Sequence, residues 1–249
     1  MNITLAEGHV LAGRIILITG AGGSLGGTAA RACAAQGARL VLLDKAVDRL
    51  GRLHDAIVAA GHPQPALYPL DLAGATEVDY QELADILQEE FGALHGLLHS
   101  AAELGIPGPL ADVNAVQWER LMRINLTSAH LLTRALLPLM ARAEDASVVF
   151  TTDTSARRGG AYWGAYGIAK IALEGLTRML AAELESGGRI RVNVFAPGPV
   201  NSALRRKSHP GEPAEQILPP EALSHRYVHL LGPASLGVTG QVIDGPGEG

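Results

Sequence analysis

The sequence predicts an α/β fold in which one doubly wound parallel sheet of about seven strands carries helices on both faces. Two observations support this. Short apolar runs alternate with longer stretches whose apolar residues recur at three and four, almost from end to end of the 249-residue chain. Most of the short runs are largely apolar, as strands covered on both faces require.

The strands fall in order at Arg14–Thr19 (RIILIT), Arg39–Asp44 (RLVLLD), Ala66–Pro69 (ALYP) and Leu94–His99 (LHGLLH). Ser147–Thr152 (SVVFTT), Arg189–Phe195 (RIRVNVF) and Gln241–Ile243 (QVI) complete the set. Helical periodicity fills the intervals near 24–36, 48–60, 76–91, 114–141 and 161–186. Neither an internal repeat nor a domain-sized linker interrupts the pattern, so residues 1–249 are expected to form a single domain. Pro- and Gly-rich text lies near 105–109 and 208–220, and a mobile substrate loop is expected near 201–220.

Composition narrows the function. Charged residues are only 18% of the chain and the net charge is -5, which argues against disorder and gives no electrostatic reason to bind nucleic acid. The one basic run, Arg205-Arg206-Lys207, is short enough for a solvated loop and equally able to meet an anion. A single cysteine, Cys33, excludes an intramolecular disulfide, fits a reducing compartment, and lies among small residues where a packing role is expected. The first residues, MNITLAEGHVLAG, lack the basic and apolar regions of a secretory signal, and no apolar run approaches the roughly 20 residues of a membrane span. A cytoplasmic protein with no membrane segment and no metal is expected.

The first strand runs into AGGSLGG and then a small-residue helix. A glycine turn between strand and helix lets backbone N–H groups approach a pyrophosphate at the positive end of the helix dipole. The spacing Gly20-x-Gly22-Gly23-x-x-Gly26 departs from G-x-G-x-x-G, so by itself it also fits a plain tight turn. Asp44 closes the second strand about twenty residues later, where a carboxylate can bind both hydroxyls of an adenosine ribose. Its charge repels a 2′-phosphate and so favours NAD(H); Lys45 beside it could contact such a phosphate and keeps NADP(H) open. Asp71 and Leu72 come just after the third strand, where they can meet the adenine amine and ring. Together these features describe a Rossmann-type, dinucleotide-binding sheet.

Farther on, Tyr166 and Lys170 stand four residues apart on one helix face. A nearby ammonium stabilises tyrosinate and lowers the phenol pKa toward working pH, as a general acid–base needs. TGAGGSLG, Asp44, the Asp71-Leu72 pair, Asn125 in MRINLTSAH, Tyr166-x-x-x-Lys170 and RVNVFAPGPVNS occur in an order that resembles the short-chain dehydrogenase/reductase superfamily. The resemblance runs from about Leu11 to Gly245 and is nearest to a bacterial branch with WGAY before the tyrosine and a poorly defined substrate.

The resemblance implies an NAD(P)(H)-dependent enzyme interconverting a secondary alcohol and a ketone, a small-molecule substrate. It assigns Tyr166 as the acid–base, Lys170 as its partner and a holder of the nicotinamide ribose, and Asn125 as support for a proton-relaying water. It places Gly20, Gly22, Ser24, Leu25 and Gly26 at the pyrophosphate, with Ser100, Ala101 and Ala102 beside the cofactor. Pro197, Gly198, Val200 and Ser202 would cradle the nicotinamide. A homo-oligomer, tetramer or dimer, built on the helices 114–141 and 161–186 is also implied.

Three departures stand out. Ser24 replaces the middle glycine of TGxxxGxG, and HSAA (His99–Ala102) replaces NNAG, with His99 read as a packed histidine in preference to a catalytic one. The third is Asp153, thirteen residues before Tyr166, where the family has a serine that donates to the reacting oxygen. An ionised aspartate can only accept. Four outcomes are open, the first favoured. Thr152 or Thr154 supplies the hydroxyl through a strand-end bulge; Asp153 is protonated and donates; Asp153 pairs with a cationic imine or amine; or redox chemistry is lost, leaving a nucleotide-binding protein or a non-redox catalyst.

Overall fold

The computed structural model describes residues 9–246; the sequence expectations for residues 1–8 and 247–249 lie outside the described residues. Seven strands form one parallel sheet: β1 (Ile15–Thr19), β2 (Arg39–Asp44), β3 (Ala66–Pro69), β4 (Gly96–His99), β5 (Ala146–Thr151), β6 (Ile190–Ala196) and β7 (Val242–Asp244). Their order across the sheet is β3-β2-β1-β4-β5-β6-β7, so the winding reverses between β1 and β4. A crevice opens above the carboxyl ends of strands at such a reversal, and in open α/β sheets ligands bind there. The strands match the expected ones to within a residue or two at each end.

Between them run α1 (Ser24–Ala35), α2 (Val47–Ala59), α3 (Glu77–Phe91), α4 (Ala115–Met122), α5 (Ser128–Met140), α6 (Thr154–Arg157), α7 (Gly164–Leu184), α8 (Ala203–Ser208) and α9 (Ser224–Leu231). Alternate strand residues feed opposite cores. Ile15 and Leu17 pack toward Leu132, Leu136 and Leu173, while Ile16 and Ile18 pack toward Ala30, Cys33 and Leu230. That two-sided burial is why the central strands β1, β2, β4 and β5 read as largely apolar text, whereas the edge strand β3 is mostly exposed. Cys33 is buried without a disulfide, and burial pushes its thiol up to about 12, as expected of a packing residue.

Two differences from the sequence expectation have physical causes. The single helix expected over 114–141 is two helices joined by a π-turn at Arg123–Thr127, an insertion that apolar spacing cannot register. α9 has no counterpart among the expected helices, because two neighbouring prolines (Pro219, Pro220) and a short length mask it; it buries Tyr227, Val228, Leu230 and Leu231. The expected loop at 201–220 contains α8, a 3-10 turn at Ala214–Gln216 and a bridge between Val200 and Leu218. Among the described residues no helix is long and apolar enough to cross a membrane.

Candidate active site

β1 ends at Thr19 and the chain turns through Gly20 at φ +67°, a conformation glycine adopts without strain. A Cβ at Gly20 would lie 2.6 Å from the Ala101 backbone, and one at Gly26 only 2.3 Å from the Gly20 carbonyl oxygen. The turn is therefore pressed against both α1 and the turn after β4. Thr19 links the two turns, since its hydroxyl oxygen accepts the N–H groups of Ser100 and Ala101 at 3.2 and 3.3 Å.

At the end of β2, Asp44 accepts the Gly22 N–H through Oδ2 at 3.0 Å and the Ala46 N–H through Oδ1 at 2.9 Å. The carboxylate thus fixes the glycine turn and retains one lone pair on each oxygen for a ligand. Lys45 and Arg49 line the cavity beside it. Arg49 is a site residue missing from the sequence expectation, although its spacing of four from Lys45 is a signal that could have found it.

A cavity of about 750 Å³ runs from this turn across the strand ends to Tyr166. Of the site residues singled out in the sequence, Gly22 and Asn125 stand off its wall; the others line it. Gly22 lies beneath Asp44. Asn125 sits in the π-turn, where Nδ2 donates to the Glu103 and Leu121 carbonyls at 2.9 Å each and Oδ1 accepts the Glu103 N–H at 3.1 Å. Its side chain braces the 103 segment.

The opposite end of the cavity is set by β5. Its pairing with β6 is unbroken from Ala146 to Thr151, and the Thr152 N–H continues the ladder to the Phe195 carbonyl at 2.9 Å. The bulge on which threonine rescue depends is absent. Thr152 instead donates its hydroxyl to the Lys170 carbonyl at 3.0 Å, and the buried Thr154 hydroxyl has no partner. The side chain facing Tyr166 is Asp153.

Asp153 works on two sides. Oδ1 accepts the N–H groups of Ser155 and Ala156 at 2.9 and 3.0 Å, capping α6, and Oδ2 accepts the Tyr166 O–H at 3.0 Å. Oδ1 is thereby committed to the helix cap and Oδ2 to the Tyr166 hydroxyl. Lys170, buried, donates from Nζ to the Thr151 carbonyl at 2.8 Å and lies 5.4 Å from the Tyr166 ring centre.

These contacts reverse part of the expected acid–base logic. Burial first, then the charge and hydrogen bond of Asp153, hold the Tyr166 phenol well above its ordinary range, where a lowering by Lys170 was expected. Burial pulls Lys170 down to about 8, against the raising influence of Asp153. His99 is a packed residue: its Nε2 meets the Thr133 hydroxyl at 2.9 Å and its ring stacks on Phe150. Burial, then Lys170, lowers its pKa to about 3 and keeps it neutral.

Around the mouth, Glu103 is held by two hydrogen bonds from Arg120, and Arg205 of α8 makes two to Glu212. Ser202 caps α8 by accepting the Arg205 N–H at 3.1 Å. Among the described residues no group of His, Cys, Asp and Glu is arranged to hold a metal ion.

The chain resembles known proteins over most of its length. Residues 20–245 match the family described as enoyl-(acyl carrier protein) reductase. The chain is 35% identical to the oxidoreductase YciK of Escherichia coli K12 over 231 residues, 93% of this chain and 91% of that protein. A short-chain dehydrogenase structure from Pseudomonas syringae superposes with a TM-score of 0.94 at 42% identity, covering 98% of this chain and 99% of the other. One from Shigella flexneri, complexed with NADP, gives 0.92 at 35% identity, over 96% of this chain and 99% of the other.

Proposed function

The chain belongs to the short-chain dehydrogenase/reductase superfamily and is an NAD(P)-dependent oxidoreductase, and we propose that Tyr166, Asp153 and Lys170 form the site at which it exchanges hydride with a small molecule. The observation that carries this proposal is the placement of the Tyr166–Asp153–Lys170 group at one end of a continuous cavity whose other end is the Gly20–Gly26 turn. The cradle fits a dinucleotide: glycines stand where any Cβ would collide, and the first turn of α1 has no side-chain cap on its N–H groups. Asp44 would hold the adenosine ribose, and Pro197 and Gly198 the nicotinamide, at the two ends of this cavity. A bound nicotinamide supplies or accepts the hydride.

The remaining work falls to the protein. Lys170 places a cation beside Tyr166, and Asp153 fixes the phenol O–H in direction. In the ordinary reading the substrate is a secondary alcohol or ketone and Tyr166 provides the proton for its oxygen. The segment 201–220 acts as the substrate loop, and Asn125 holds the 103 segment that forms the opposite wall. A relaying water near Asn125 completes proton supply to Lys170. The protein works as a homo-oligomer in a reducing, cytoplasmic setting, with exposed Ile168, Ile171 and Met179 on α7 as contact residues. Tyr166→Phe is expected to lower ketone reduction by about a thousandfold with NADPH affinity unchanged; equal turnover in the variant would remove Tyr166 from the chemistry.

For the cofactor, we read the Asp44 end as able to accept NADP(H). Both Asp44 oxygens already accept backbone N–H groups, and the two cations Lys45 and Arg49 line the same cavity, where they would meet a 2′-phosphate. The NADP complex of the Shigella flexneri relative supports this reading. Arg49→Ala is expected to weaken NADPH binding about tenfold, a loss typical of one charge-assisted hydrogen bond, and to leave NADH affinity within about twofold. Equal weakening of both cofactors, measured by fluorescence titration, would mean that Arg49 does not meet the phosphate.

A further inference from the structure

The charge at Asp153 bears on which substrate the site accepts, an inference that rests on the hydride-transfer reading of that site. In carbonyl reduction the oxygen gains negative charge as hydride reaches the carbon, and the site must supply a donor. Here the nearest donor, the Tyr166 O–H, is directed at Asp153 Oδ2. The Thr152 hydroxyl is spent on the Lys170 carbonyl, the Lys170 ammonium gives one of its three N–H groups to the Thr151 carbonyl, and the unpartnered Thr154 hydroxyl is buried in the first turn of α6. A carboxylate therefore faces the place where negative charge would build.

The hydrogen-bond partners of Asp153 are all neutral, namely two backbone N–H groups and a phenol, and Lys170, a cation that feels its charge, makes no hydrogen bond to it. Oδ2 keeps a lone pair, Asp153 lines the cavity, and Leu104, Ile106 and Leu204 supply apolar wall to the same cavity. That is a setting for an organic cation with an apolar body.

We propose that the site selects a cationic carbon–nitrogen double bond, an iminium ion or protonated imine, over a neutral ketone, with Asp153 as the group that recognises the cation. The reaction balances without a proton from the protein. A hydride from the reduced nicotinamide forms the new C–H bond, the carbon–nitrogen π pair becomes the lone pair of the amine nitrogen, and the positive charge passes to the oxidised nicotinamide. In the reverse direction a neutral amine develops positive charge on nitrogen. The transition state is the same in both directions and carries partial positive charge there, which Asp153 stabilises. With a ketone the partial charge on oxygen is negative and the same carboxylate opposes it. The Tyr166 O–H, which cannot serve two acceptors at once, keeps Asp153 oriented.

The test uses N-methyl-dihydroisoquinolinium as the cation and tetralone as its neutral carbonyl counterpart. Binding to the native protein without cofactor is measured by calorimetry, and hydride transfer with NADPH by loss of its absorbance. The cation is expected to bind at least about tenfold tighter than tetralone and to be reduced faster. Asp153→Asn keeps an amide oxygen able to cap α6, so the fold persists; it is expected to lose at least about tenfold in cation affinity with NADPH affinity unchanged. Equal affinity of native protein and Asp153→Asn for the cation, or faster reduction of tetralone by the native protein, would overturn the proposal. Failure of NADPH and NADH to bind at all would instead refute the hydride-transfer reading, and the cofactor-free binding comparison would still decide what Asp153 recognises.

Discussion

Asp153→Ser is expected to raise ketone reduction by about two to three orders of magnitude. A unit negative charge ~4 Å from a developing alkoxide opposes it by roughly 4 kcal/mol at an effective dielectric near 20, and each 1.36 kcal/mol or so is tenfold in rate. Asp153 is partly exposed, so solvent screens part of this opposition and draws the effect toward the lower end of the range. Serine removes the charge, restores a donor to the reacting oxygen and releases the Tyr166 O–H. It also remains a good N-cap, so the hydrogen bonds that Asp153 makes to Ser155 and Ala156 have a successor and α6 should survive. Initial rates with tetralone and NADPH measure the effect. An unchanged rate would mean that the Asp153 charge does not reach the reacting atoms.

Lys170→Met separates stability from function. Lys170 is 2% exposed and its ammonium is satisfied only in part, by the Thr151 carbonyl. Its pKa falls from 10.5 to about 8 on folding, which corresponds to a cost of about 3 kcal/mol while the group is charged in both states. The folded pKa lies below the unfolded one, so between these values the unfolded chain holds more protons. The cost is present in full below pH 8 and is relieved as the pH rises from about 8 to 10.5. Methionine removes the cost but leaves the Thr151 carbonyl without its donor, a loss of about 1 to 2 kcal/mol. Net stability at pH 7 is expected to rise by about 1 to 2 kcal/mol. The native protein should gain on Lys170→Met as pH increases through that window, while hydride transfer in the variant falls about a hundredfold or more. Urea denaturation at pH 7 and pH 10 checks the sign, and a variant less stable at pH 7 would show that Lys170 supports the fold.

The strands and the two ends of the cavity were legible in the sequence because each has a strong local signature. Unbroken apolar text such as RIILIT has one good solution, a strand covered on both faces. Gly20 and Gly26 are legible for a different reason, since their backbones approach others too closely for a side chain. What stayed hidden depends on contacts between distant segments. Thr19 holding Ser100 and Ala101, and Asn125 holding Glu103, are hydrogen bonds across 81, 82 and 22 positions that no spacing rule records. The π-turn at Arg123–Thr127 is likewise invisible to a period of three and four. Asp153 was recognisable as an anomaly through the family resemblance, which implies a serine thirteen residues before Tyr166. Its role was not, because a strand-end bulge of one residue would have turned a threonine into the cavity instead. The register of β5 on β6 excludes that bulge.

The chemistry of the site turns on the suppression of Tyr166 acidity, by burial first and then by Asp153. It can be measured by labelling tyrosines with carbon-13 at the phenolic ring carbon and following the Tyr166 resonance, assigned by its absence in Tyr166→Phe, as pH rises. In the native protein it is expected to show no tyrosinate shift up to pH 10.0, since burial and Asp153 place its ionisation above that value, and to ionise at lower pH in Asp153→Asn than in the native protein. Ionisation of native Tyr166 below its ordinary range, or a titration unmoved by Asp153→Asn, would contradict the assignment of Asp153 as the group that holds the Tyr166 proton.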